Sequence, residues 1–335
     1  MREKAVMWAR QNPTESLFFV VVRYQNVKKT SLLGMELRHF FHQQHNLHNV
    51  EVFGLPTQAG DALSRLLKKV TTRPPGSWMV DELIMPEPQD HWRWTKDLEK
   101  LQSHMTAKNY LWITCAGIRG GEPEHFEHDY LTRVLPPVFH LPKMDVPLRN
   151  TKQVLALARL KGNRDVKGFG PACSTRTNPV YKVPADLMQG IRCKQLFFND
   201  IDGDIDEDEV ASVVKAACKE VLRRTGGAGF PVLCNSYDNR TPISIVKRGL
   251  ERAGATALVY HKNSKVNSSD AKVEEWLRSR RRGEEKRCLI TDEEAIWGWE
   301  ASHTLVVAMG GYGWENLVMR TVGYCVLVKP HELDY

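Results

Sequence analysis

The stretch WMVDELIMPEP, Trp78 to Pro88, sets two adjacent carboxylates, Asp81 and Glu82, after a short apolar run and before two prolines. Such a pair is suited to metal-assisted phosphoryl transfer: one carboxylate holds the shell of a divalent ion and its neighbour orients an attacking water. The end of a buried parallel strand is where open α/β sheets present their crevice. Taken alone the pattern has low specificity, because paired carboxylates also cap ordinary strand-to-loop turns.

Other segments carry chemistry-bearing residues without the spacing that chemistry needs. NDIDGDIDEDE, Asn199 to Glu209, has acidic residues beside a glycine in the manner of a calcium loop. Its register fails, since setting Gly203 at the glycine position puts Phe198 at the first ligand position; an acidic helix start accounts for Glu207, Asp208 and Glu209. His39, His42, His45 and His48 recur every third residue, but steps of three drift around a helix and the four cannot converge on one zinc ion. His125 and His128 in EHFEHD sit in a loop-like stretch. RSRRRGEEKR, Arg278 to Arg287, suits phosphate contact, the dipole of a helix end, or a solvated surface. The nine tryptophans serve packing first, and exposed ones could stack on bases.

The elements that must position these residues alternate along the chain. SLFFVVV, Ser16 to Val22, is a continuous β-branched and aromatic run of the kind found where both faces of a parallel sheet are covered. A helix follows in SLLGMELRHFF, with Ser31 as its N-cap. Strands at Asn49–Leu55, Ser77–Glu82 and Tyr110–Gly117 alternate with helices at Asp61–Val70 and around WRWTKDLEKLQSHM. From Pro123 to Phe198 the rhythm weakens, although NTKQVLALARLKG still reads as a helix. It resumes with KQLFFND, a long helix from DEDEV, FPVLCNS, PISIVKRGLERAG, ATALVYH, KVEEWLRSRRR, KRCLITD, SHTLVVAM, WENLVMRTV and GYCVLVKP. This βαβα order predicts an α/β chain of two lobes, each with a mainly parallel sheet flanked by helices. The boundaries expected are residues 1–160 for an incomplete N-terminal lobe, 161–196 for a linker, and 197–335 for the C-terminal lobe.

Composition agrees with a globular protein. The 335 residues are 42% hydrophobic and 26% charged, with a net charge of +7, which permits contact with phosphates or nucleic acid without requiring it. Seven scattered cysteines form no C-x-x-C pair, which argues against a disulfide framework or a zinc ribbon and for a reducing compartment. No apolar run approaches the roughly 20 residues of a membrane span, and the N-terminal residues lack a signal-peptide core. An intracellular protein, cytoplasmic or nuclear, is expected.

The order of these segments resembles the two-lobed RecA-like core of superfamily 1 helicases of the UvrD and Rep type, a P-loop NTPase class. FFVVVRYQNVKKTSLLGMELRHF is similar to the strand and helix of that family's motif Ia, MVDEL to motif II, and LWITCAG stands in the place of motif III. VPLRNTKQVLALA resembles motif IV, CLITDEEAIWGWEASHTLVVA motif V, and ENLVMRTVGYCVLVKP motif VI. The resemblance spans roughly Ser16 to Pro330. It implies ATP and Mg2+ as ligands, with Asp81 binding the metal and Glu82 positioning water. It likewise implies Arg149 and Arg320 as cations that neutralise the transferred phosphoryl group, and Thr291 and Glu300 as nucleotide-site residues. Nucleic acid or other proteins are the partners implied; no membrane partner is expected.

Departures from the family are as informative. No G-x-x-x-x-G-K-[ST] occurs, so the amide cradle and lysine for the β- and γ-phosphates are missing from this sequence. RYQNVKKT has Lys29 and Thr30 at the right spacing, yet Arg23 and Lys28 occupy the two glycine positions and would obstruct the tight loop. The chain reads as though the first βα unit were missing or lay on a longer protein. TCAGIRG lacks the usual polar pair of motif III, and Trp297 stands where motif V has a basic residue. Two classes of function stay open: a helicase-like ATPase that lacks autonomous hydrolysis unless a longer chain supplies the Walker A segment, and a non-catalytic scaffold or interaction module on the same two-lobed fold.

Overall fold

The structure is a computed structural model and describes residues 1–24, 31–57, 61–84, 91–105, 109–116, 150–159, 188–201, 204–235, 243–261, 264, 266–293, 295–296, 298–309 and 314–331. The chain divides into two compact units, Met1–Met144 with Gly168–Pro179, and Asp145–Lys167 with Val180–Tyr335. The strand pairings in both main sheets are parallel.

In the first unit, strands β1 (Leu17–Tyr24), β2 (Val50–Thr57), β3 (Ser77–Ile84) and β4 (Leu111–Ala116) lie in the order β2-β1-β3-β4. β1 shows why its sequence is an unbroken apolar run. Phe18, Val20 and Val22 pack with helices α3 (Ala62–Thr71) and α4 (His91–Ser103), through Leu63, Leu66, Trp94 and Leu98. Leu17, Phe19 and Val21 pack on the opposite face, with Leu37 of helix α2 (Leu32–Arg38) and Phe41 of the π-helical turn His39–Gln44 that continues it. Ser31 caps α2, its hydroxyl accepting the Gly34 N–H at 3.1 Å.

Helix α1 (Arg2–Gln11) is an element that the sequence reading did not foresee. It covers the same face through Ala5, Val6, Trp8 and Ala9. Asn49 fixes its exit, because the side-chain amide donates to the carbonyls of Ala9, Asn12 and Glu15 at 3.1, 3.0 and 3.1 Å. Those are carbonyls that a helix end leaves without intrahelical partners.

In the second unit, six strands lie in the order β5-β12-β11-β8-β10-β9: β5 (Lys194–Phe198), β8 (Pro231–Asn235), β9 (Ala257–Tyr260), β10 (Cys288–Thr291), β11 (Ala301–Ala308) and β12 (Thr321–Pro330). Helix α5 (Lys152–Arg159) belongs to this unit. Asn150 and Thr151, just before it, are hydrogen-bonded to the start of β12. Helices α6 (Glu207–Arg224) and α7 (Ile243–Arg252) cover one face through Val210, Val214, Cys218, Val246 and Leu250. Beyond them come α8 (Asp270–Arg281) and the short α9 (Trp314–Val318), and α5 and α9 pack on each other and on the central strands.

The acidic stretch before α6 has a structural explanation. Asp200–Ile201 (β6) pairs antiparallel with Asp204–Ile205 (β7), and Asp206 caps α6 by accepting the N–H groups of Asp208 and Glu209. Glu207 and Asp208 then pair with Arg248 and Arg252 of α7. The four histidines spaced by three are used locally: His39 against Gln43, His42 against the Val50 carbonyl, His45 against Arg10, and His48 against Asn46. Among the described residues no group of three or more His, Cys, Asp or Glu could hold a metal ion, and no helix is long and apolar enough to cross a membrane. Of the described tryptophans, Trp8, Trp78, Trp94, Trp276, Trp299 and Trp314 are buried, while Trp92 and Trp112 are exposed.

On α6, Glu220 accepts from Arg223, Arg224 and the Tyr324 hydroxyl and pairs with Lys194. Arg223 foremost, then Lys194, Tyr324 and Arg224, hold its carboxyl at about 2 against the opposing effect of burial. A carboxyl depressed in the folded state contributes stability that is complete above its unfolded value and lost as pH falls through the folded one. Urea unfolding of the intact chain is expected to weaken between pH 4.5 and about 2, and Glu220→Gln is expected to flatten that part of the profile. Separately, Asn49→Ala is expected to lower stability by about 1–3 kcal/mol, and an unchanged urea midpoint would show that α1 is not held through Asn49.

Candidate functional site

Connectivity picks out where the first sheet opens. From β1 the chain passes to β2 on one side, and from β3 to β4 on the other, so the adjacent ends of β1 and β3 form the switch point at which open α/β sheets take ligands. Asp81 lies there. The β1–β3 ladder runs from Leu17 opposite Ser77 to Val21 opposite Asp81 and ends at that pair.

The carboxylates also sit on an irregularity that periodicity cannot reveal. Between β3 and β4 the register passes from Val80 opposite Ile113 to Leu83 opposite Cys115, three residues on β3 against two on β4. The extra residue falls at Asp81–Glu82. Bulges of this sort re-aim side chains and recur beside active sites. Its effect on packing is direct: Trp78 and Val80 share one core with Leu83, which strict alternation would have turned to the opposite face. Asp81 is half-buried. Glu82 lies in β3, and its side chain is outside the described residues, as are segment 25–30 with Lys29 and Thr30, Arg149, His125, His128 and Trp297. A half-buried carboxylate where the β1–β3 ladder stops, three residues before the end of β3, fits Mg2+, which is bound through one or two carboxylates together with phosphate oxygens and water.

In the second unit the candidate residues fall into two groups. Glu300 and Arg320 immediately precede β11 and β12, where the Ala301 N–H donates to the Arg320 carbonyl at 3.0 Å. Asn150, the neighbour of Arg149, is 1% exposed and locks the same place. Its side-chain amide donates to the carbonyls of Met319 and Thr321, at 3.0 and 2.6 Å, one on each side of Arg320. Thr151 continues the seam, its N–H donating to the Val322 carbonyl at 2.9 Å and its hydroxyl to that of Gly323 at 3.1 Å. The same hydroxyl accepts the Val154 N–H and so caps α5. Gly190 closes on Thr151 with φ of +75°, where a Cβ would come within 2.4 Å of the threonine. Arg320 is thus held on a backbone seam that Asn150 and Thr151 lock.

Thr291 does not join them. It ends β10 opposite Leu233, and Leu233 is opposite Val306 of β11. Glu300 stands six residues before Val306, and Arg320 one before Thr321, the partner of Ala301, which places both about 20 Å from the Thr291 level along the strand direction. Thr291 is fully buried and its hydroxyl has no hydrogen-bond partner among the described residues. Beside it, buried Asp292 accepts the Ala295 N–H at 2.9 Å, and its other oxygen lies 3.6 Å from Nδ1 of fully buried His261 at the end of β9. The motif order did not single out Asp292, His261 or Asn150. For Asn150 a signal was present: Asn-Thr directly before a periodic helix is a start signature.

No protein-family model matches the sequence, and no curated protein matches it. Among solved structures, S. cerevisiae Dbp5 L327V bound to RNA and ADP BeF3 aligns over 99% of this chain and 76% of its own at 10% identity, with a TM-score of 0.47. S. cerevisiae Dbp5 bound to RNA and ADP BeF3 aligns over 98% and 75% at 9% identity, also with a TM-score of 0.47. A likeness of this degree carries no functional weight.

Asn150→Ala removes both donors to the backbone around Arg320. It is expected to lower stability by about 1–3 kcal/mol and to raise amide hydrogen exchange selectively over residues 319–323. Unchanged exchange there would mean that Asn150 does not position the arginine.

Proposed function

We propose that the chain is a divergent helicase-like P-loop NTPase homologue of the superfamily 1 kind, with RecA-like lobes, that keeps part of a phosphate site and does not hydrolyse ATP on its own. The observation that carries this reading is the carboxylate pair, set on a bulge at the switch point of a parallel sheet. In this reading Asp81 is the magnesium carboxylate and Glu82 the water-orienting group, while Arg149 and Arg320 are phosphate-facing cations. When bound, Mg2+ would neutralise charge on the phosphates of ATP. Asn150 is a positioning residue, since it acts through the backbone on either side of Arg320.

Loss of hydrolysis follows from the missing cradle. Without a glycine-rich loop, ATP forgoes several charge-assisted hydrogen bonds of roughly 1.5–3 kcal/mol each. The separation of Thr291 from Glu300 and Arg320 favours the second reading as well, a scaffold or interaction module that uses the fold without turnover. Nucleic acid is the partner class consistent with the positive net charge, and its binding should weaken steeply with salt. An intracellular setting, cytoplasmic or nuclear, goes with this reading.

Magnesium-dependent ATP turnover by the purified chain is expected to stay at background and to be the same for Glu82→Gln. Turnover that Glu82→Gln abolishes would overturn the non-hydrolysing assignment and make the chain an ATPase.

A further inference from the structure

The outer edge of the second sheet carries a surface that the phosphate-site reading does not use. β5 is an end strand: β12 pairs it on one side, and no described strand pairs it on the other. An unpaired edge presents a row of amide and carbonyl groups to any chain that can lie along it. Residues 188–192, which lead into β5, are all exposed.

The two faces of this edge differ in chemistry. Toward α6, Lys194 lies 3.3 Å from Glu220, a carboxylate that Arg223 and Arg224 also share, at 2.9 and 3.3 Å. Three cations around one carboxylate leave that face positively charged. On the alternate face, Phe197 is 44% exposed, with Lys329 of β12 over its ring at 5.7 Å. Ile191 and Met188 extend exposed apolar surface along the approach to the strand.

We propose that β5 docks an extended segment of a partner protein in which acidic and apolar residues alternate, added to the sheet as one further strand. Main-chain hydrogen bonds to the edge would supply affinity, and alternate side chains would supply selection. Successive residues of a strand point to opposite faces, so a single alternating segment meets the Lys194–Arg223 face with its carboxylates and the Phe197 face with its apolar groups. A second copy of this chain is the poorer occupant, because edge-to-edge pairing would bring two positive clusters together. A nucleic acid would meet the cations and could stack a base on Phe197, but it would leave the alternating amide and carbonyl groups of the strand edge unmatched.

The test uses the full chain with a short labelled peptide of alternating glutamate and valine. Binding is expected by fluorescence anisotropy, together with slowed amide exchange over residues 194–198. Lys194→Glu is expected to weaken binding roughly tenfold and Phe197→Ser to weaken it also, both read at a temperature where circular dichroism shows the variants folded, because Lys194 also pairs with Glu220 and its reversal lowers stability. A peptide with lysine in place of glutamate, and a glutamate–valine peptide methylated on alternate backbone nitrogens, are expected not to bind. Three outcomes would overturn the proposal: no binding at millimolar peptide, equal binding of either control peptide, or protection of amides elsewhere than β5. Displacement of the bound peptide by a single-stranded oligonucleotide that leaves the β5 amides unprotected would assign the surface to nucleic acid instead.

Discussion

Burial of the parallel strands on both faces is the constraint from which the rest of this structure follows. From Leu17 to Val22 β1 has no side chain left for solvent or for chemistry, with Leu17, Phe19 and Val21 in one core and Phe18, Val20 and Val22 in the other. Polar groups are therefore pressed to the strand ends, where the ladders stop. Asp81, Thr291, Asp292 and His261 lie at or beyond carboxyl ends of ladders, and Glu300, Arg320 and Asn150 gather where β11 and β12 begin. The same rule makes the buried polar pairs costly to leave unmet, which is why Asp292 and Asn150 are engaged with backbone groups in interiors that exclude water.

Periodicity made the strands and most helices legible because burial writes itself into residue type. SLFFVVV could be read as a doubly covered strand and FPVLCNS and GYCVLVKP as strands, and a strand stands at each. Features set by register were not legible. The bulge at Asp81–Glu82 depends on how β3 meets β4, a relation between distant segments that no window of sequence contains. Helix α1 was missed for a related reason: its apolar residues, Ala5 to Ala9, form one continuous run rather than a 3.6 period, and its exit is fixed by Asn49, far along the chain.

The candidate site was legible in parts for the same physical reason. Asp81 could be placed because it ends an apolar run, and the locking of Arg320 could not, since it passes through the side-chain amide of Asn150 and the carbonyls on either side of Arg320. Motif order suggested that Thr291, Glu300 and Arg320 act together, yet order along the chain says nothing about which end of a strand a residue occupies. Thr291 closes its strand and the other two open theirs, so neighbours in sequence are separated by most of a strand's length.

The bulge also separates two kinds of dependence within β3. Leu83 returns to the core that holds Trp78 and Val80 only because one residue between Val80 and Leu83 is surplus to the alternation. A chain shortened by that single residue would still bury the same three apolar side chains in the same core, now with a regular ladder. The hydrophobic architecture therefore tolerates one carboxylate as readily as two, and the second acidic position is one that the packing of this sheet neither requires nor resists.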